Sequence, residues 1–111
     1  MRNFIPYSLG AAALLAVMLP AAAEAQDRRV RVINNTSQIM VKLQASNIGR
    51  KSWEEDILGK NVLMPGSATM ANLDDGSGQC LFDLRATFRS GATAVRRRVN
   101  VCTITSWTIN D

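Results

Sequence analysis

The sequence predicts an all-β fold: a small antiparallel sandwich of about seven short strands with one short helical turn, set behind a cleavable leader. Three observations carry this expectation. Residues 82–89 alternate apolar and polar without a break, as a strand with one buried and one wet face does. Turn signals at Asn34-Asn35, Pro65-Gly66, Asp74-Asp75-Gly76 and Ser90-Gly91 punctuate the chain at fairly regular spacing. The only two cysteines, Cys80 and Cys102, stand at the open end of a single hairpin.

The chain opens on the positively charged Met1-Arg2-Asn3, followed by an almost unbroken apolar run from Leu9 to Leu19. Ala23-Glu24-Ala25 then places small residues at both positions a signal peptidase reads. This predicts a secretory signal peptide over residues 1–25, cleaved after Ala25, with cleavage after Ala23 the alternative. The apolar run is shorter than the roughly 20 residues of a membrane span, so no stable span is expected in the mature chain. There is no twin arginine and no cysteine after the run, which points to the general secretory route without a lipid anchor. The expected location is therefore periplasmic or secreted, in a bacterium, with residues 26–111 as a single domain. The net charge of +4 survives loss of Arg2 and Glu24, and it favours anionic partners without demanding them.

Asp27 to Asn34 alternates arginine with valine and reads as a first strand, expected at a sheet edge where charge discourages foreign pairing. Asn34 to Ser37 reads as a turn. Gln38 to Asn47 is the second strand, with Ile39, Val41, Leu43 and Ala45 expected inward. Ser52 and Glu55 have capping-box spacing, and Trp53 and Ile57 are four apart. One short turn of helix ending at Gly59 is therefore expected to press both apolar residues onto the sheet. Short strands are expected over Asn61–Met64 and Ser67–Leu73, then an acidic loop from Asp74 to Gly78. The last strand, Thr103 to Asn110, is rich in β-branched residues and carries Trp107 and Ile109 on one face.

The hairpin between the cysteines is the best defined element. Its first arm puts Cys80, Phe82, Leu84, Ala86 and Phe88 on one side; its second alternates Val95, Arg97, Val99 and Val101 against Arg96, Arg98, Asn100 and Cys102. Ser90 to Thr93 join the arms, and Gly91 supplies the positive φ a tight turn wants. Facing the valines inward pairs Phe82 with Val101 and Leu84 with Val99, and sets Arg85 opposite Arg98 and Thr87 opposite Arg96. That register leaves the cysteines on opposite faces, so a β-bulge near one cysteine is expected, or a Cys80 lying before the strand begins. A Cys80–Cys102 disulfide is the simplest use of two cysteines in an exported chain; two separate thiols are the alternative.

Taken together the elements favour an immunoglobulin-like sandwich, with a partly open barrel as the alternative, although the usual Cys–Trp–Cys order is absent. Trp53, Leu58-Gly59, Leu63-x-Pro65-Gly66, Cys80-x-Phe82-Asp83-Leu84-Arg85 and Val99-Asn100-Val101-Cys102 occur in that order. In this the chain resembles a group of small exported proteobacterial proteins. The resemblance spans most of the mature chain; it implies export, a disulfide and a β-rich fold, and it implies no reaction or ligand.

Catalysis is thinly supplied, and no enzyme activity is expected. The sequence has no histidine, which removes the usual general base and the commonest zinc ligand. The cysteine spacing is not that of a redox C-x-x-C pair, and no nucleotide loop is present. Asp74-Asp75 lacks the ligand series of a calcium loop, so no metal and no cofactor are expected. What remains is a binding surface. Arg85, Arg89, Arg96 and Arg98 are the candidate anion-binding face, and Trp53 and Trp107 are candidate aromatic contacts. A non-catalytic protein-interaction or structural module is the leading expectation, its partner an envelope protein. A binder of anionic envelope glycan or lipid is the first alternative and a small-molecule carrier the second; no nucleic acid partner is expected.

Overall fold

The computed structural model describes residues 27–111; the expected signal peptide and its cleavage site lie outside them. Six strands, not seven, are formed: β1 (Arg29–Asn35), β2 (Met40–Asn47), β3 (Ala68–Asn72), β4 (Leu81–Phe88), β5 (Thr93–Asn100) and β6 (Ser106–Asn110). They make two three-stranded sheets, β3-β1-β6 and β2-β4-β5. The inner faces share one core, in which Val30, Val32, Ala71, Trp107 and Ile109 of the first sheet meet Met40, Leu43, Ala45, Phe82, Leu84 and Ala86 of the second. The fold is thus all-β and sandwich-like, as the alternating strands require. No helix among the described residues is long and apolar enough to cross a membrane.

Several local expectations change. β1 is the central strand of its sheet, antiparallel to β3 and parallel to β6, so that sheet is mixed and β1 is no edge. Val30 and Val32 are buried as expected, with Arg29 and Arg31 in water between them. Alternation defines a face, and charge on the wet face does not mark an edge. In β2 the register shifts between Met40 and Lys42, so Met40 fills the core while Ile39 and Val41 are only half-buried. Asn61–Met64 forms one isolated bridge, Leu63 to Met40, which accounts for the missing strand.

No helix forms over residues 52–59. That segment lies along the free side of β2 instead: Glu54 N–H donates to Ala45 O at 3.2 Å and Ile57 N–H to Leu43 O at 2.7 Å. Asp56 accepts from the backbone N–H of Leu43 at 2.8 Å and of Leu58 at 3.0 Å through Oδ1. An unpaired sheet edge offers backbone partners along its whole length, whereas a single helical turn satisfies few of its own. Gly59 still closes the segment at φ 61°.

Cys80 and Cys102 are joined, with Cα atoms 5.4 Å apart. Both devices expected to reconcile the cysteines with the strand faces are present. Cys80 precedes β4 and Cys102 follows β5, and a bulge lies between Phe82 and Leu84 in the pairing with β5. The hairpin turns through residues 89–92, with Gly91 at φ 95°.

Candidate functional site

The outer face of β2-β4-β5 is built from the residues that alternate with its core. Across it Gln44 of β2 pairs with Arg85 of β4, which pairs with Val95 of β5, and Ser46 pairs with Asp83. Arg85 Nη2 donates to Gln44 Oε1 at 2.8 Å, and its guanidinium carbon sits 4.6 Å from the centre of the Trp53 ring. The chain between β2 and β3 therefore returns over the sheet and lays Trp53 on a cation, an arrangement worth about 0.5–1 kcal/mol. Trp53 is half-buried on this outer face and is not the core plug its spacing suggested; Trp107 alone of the two tryptophans enters the core.

Register decides which arginines share this face. The pairs are Phe82–Val99, Leu84–Arg96, Arg85–Val95 and Thr87–Thr93, so neither Arg85–Arg98 nor Thr87–Arg96 is formed. The expected ladder of like charges disappears with that register, and with it an unfavourable contact. Arg96 takes the position opposite buried Leu84, on the core side of an exposed edge strand. Arg98 lies in the bulge at φ 52°, where its backbone N–H donates to Asp83 Oδ1 at 2.9 Å. Arg89 belongs to the hairpin turn at the opposite end of the strands. Of the four arginines proposed for a single face, Arg96 and Arg89 therefore do not join the one on which Arg85 lies.

Its cationic companion is Arg97, which sequence alternation had assigned to the valine side. Arg97 Nη1 lies 3.2 Å from Asp83 Oδ2. Arg50, Lys51, Ser52 and Trp53 from the crossing segment join Ser46, Asp83 and Arg97 around an open, polar pocket of about 230 Å³. Arg50 is held 2.8 Å from Glu54, while Lys51 is in no ion pair among the described residues. Asp83 and Glu54 thus each hold one arginine, and Lys51 is the cation in excess. The signal was present in the sequence as Arg50-Lys51-Ser52-Trp53, a basic pair beside an aromatic, but the same stretch also reads as the approach to a helix.

The acidic loop has its own uses. Asp75 Oδ1 accepts from Ser77 Oγ at 2.6 Å and Ser77 N–H at 3.0 Å, and Oδ2 from Asn47 Nδ2 at 2.8 Å. Burial works against its charged form, but the bonds from Ser77 and Asn47 outweigh it and hold the carboxyl below the ordinary aspartate value. Asp74 and Asp75 also meet Glu54 and Glu55 around a second opening of about 250 Å³, floored by Ala45, Ile57, Leu73 and Phe82. Among the described residues no three histidine, cysteine or acidic side chains are placed to hold a metal ion together.

These features define a small, disulfide-linked, all-β sandwich with a basic pocket on one outer face. The chain matches no family model and no curated protein. Its fold is similar to that of the NMR structure of a protein from Eubacterium rectale, with a TM-score of 0.54 at 20% identity. The likeness covers 78% of this chain and 79% of that one, and at such identity it concerns the fold.

Proposed function

We propose that the chain is an exported, non-catalytic binding module that engages an anionic partner of the cell envelope through the pocket bordered by Trp53. The observation that carries this reading is the convergence of Arg50, Lys51 and Arg97 on one opening, where Glu54 and Asp83 pair with the two arginines and Lys51 is left in excess. Cations gathered at a concave site concentrate the potential there and attract anions. The disulfide fits an oxidising compartment and supports the export half of the proposal.

Co-sedimentation of the exported protein with the envelope fraction of its own cells tests the reading. Binding is expected at low salt, to weaken as ionic strength rises, and to be lost in the Lys51→Glu/Arg97→Glu double variant with its melting temperature held. Binding indifferent to both salt and the double variant would refute it.

A second reading, a protein-interaction module, is favoured by β6. Its sequence Ser106-Trp107-Thr108-Ile109-Asn110 carries no charge, proline or bulge, and among the described residues only its β1 side is paired. The other sheet guards its edges, with the 54–57 segment along β2 and three arginines plus a bulge on β5. An extended segment of a partner protein would add to β6 by backbone bonds. Proline at Thr108 would then abolish capture of that partner while Lys51→Glu/Arg97→Glu would not; the reverse pattern excludes this reading.

A further inference from the structure

We infer that the pocket takes a single oxyanion group, a phosphate, sulfate or carboxylate, and that Asp83 is a built-in competitor which sets how tightly it is held. The inference rests on the anion-binding reading above and goes beyond it in naming both the ligand class and the residue that limits affinity.

The ligand class follows from size and lining. At about 230 Å³ the opening is smaller than the roughly 300–1,000 Å³ of drug-sized sites, so it admits one small group. Arg97 presents an exposed guanidinium, whose planar fork matches a phosphate, sulfate or carboxylate. Lys51 adds a mobile point charge. Ser52 and Trp53 complete the wall, and Ser52 supplies a hydroxyl for polar contact with the oxyanion. A lipid bilayer would present its charges as a plane and could not insert one of them beside Trp53 without its neighbours meeting Asp83 and Glu54.

The role of Asp83 follows from its bonds. Oδ2 already lies against Arg97 Nη1 at 3.2 Å, in the position an incoming oxyanion would take. Oδ1 is tied to the Arg98 N–H at 2.9 Å, and that bond fixes the carboxylate at the pocket floor. A ligand must therefore displace an internal partner of Arg97 and approach a fixed negative charge. Both effects weaken binding and leave its site unchanged.

Asp83→Asn tests this, because the amide oxygen can still accept from Arg98 N–H while the charge is gone. Titration of the exported protein with a heparin-derived sulfated disaccharide is followed by calorimetry, with inorganic phosphate, the desulfated disaccharide and anionic vesicles as comparators. Asp83→Asn is expected to tighten the sulfated disaccharide by about three- to tenfold, and Arg97→Ala to abolish binding. Should the asparagine variant fail to fold, Asp83→Ser carries the same expectation, since it too offers an oxygen without charge. If wild type binds and Asp83→Asn binds equally or more weakly, the competitor role is overturned while the anion-binding reading stands. If anionic vesicles bind while neither phosphate nor the sulfated disaccharide does, the single-oxyanion assignment is overturned. Should no anionic probe bind wild type or either variant, the functional reading itself fails.

Discussion

The disulfide offers the sharpest test of how this domain is held together. Cys80 and Cys102 are separated by 22 positions. For a loop of that length the chain-entropy relation gives a stabilisation of about 3.4 kcal/mol at 25 °C. Small domains of this kind have roughly 5–15 kcal/mol in total, so the bond is expected to hold a large share of it. The Cys80→Ala/Cys102→Ala double variant removes the link without leaving a reactive thiol. Its melting temperature should fall by roughly 15–25 °C, at about 4–8 °C for each kcal/mol in a domain of this size. Far-UV circular dichroism and the fluorescence of core Trp107 should report the loss together.

One structural fact works against the full effect. The backbone beside the bond is already tied, with Val101 N–H donating to Cys80 O at 2.8 Å and both Thr103 and Ile104 N–H groups to Asn100 O. If those bonds persist in the unfolded ensemble, the loop is partly closed before the disulfide acts. A loss below about 1 kcal/mol would show that the turn, and not the covalent link, closes the hairpin, and would refute the entropic reasoning. Alkylation of both thiols in the native protein would refute the bond itself.

Three further outcomes follow from individual residues. Asn34 is fully buried, its Nδ2 donating to Gln38 O at 2.8 Å and Leu63 O at 2.9 Å while Oδ1 accepts from Thr36 Oγ1 at 2.6 Å. Asn34→Ala strands these groups and should cost about 2–4 kcal/mol in urea unfolding, whereas a surface turn residue would cost almost nothing. Because Asp75 titrates lower in the folded chain than in the unfolded one, its contribution to stability is present above about pH 4 and is lost as pH falls through the lower, folded value. Asp75→Asn should accordingly lower the urea midpoint near pH 6, with the difference shrinking as pH falls through the folded value. Trp107→Ala should cost about 3–5 kcal/mol as a core deletion, while Trp53→Ala, on the outer face, should cost about 1 kcal/mol; equal losses in calorimetry would place both rings in the core.

What could be read from the sequence was what depends on neighbours along the chain. Phe82, Leu84, Ala86 and Phe88 are all buried, and Trp107 and Ile109 share the inner face, because period-two alternation is local. Turn chemistry was legible for the same reason at Gly66 and Gly91, both at positive φ. Pairing was not. Nothing local tells β1 that β3 and β6 flank it, and nothing in Ser52–Gly59 announces that β2 offers an edge to lie along. The sharpest failure is also the most informative. Strict alternation put Val95, Arg97 and Val99 on one face, but the bulge with Arg98 at φ 52° inserts a step between them. Val99 can then turn inward against Phe82 while Val95 and Arg97 stay outside, beside Arg85 and Asp83. A single residue in an unusual backbone conformation thus does two things at once. It completes the core, and it moves an arginine from the valine side to the Trp53 face, so the same irregularity that spoils the reading of the hairpin creates the pocket.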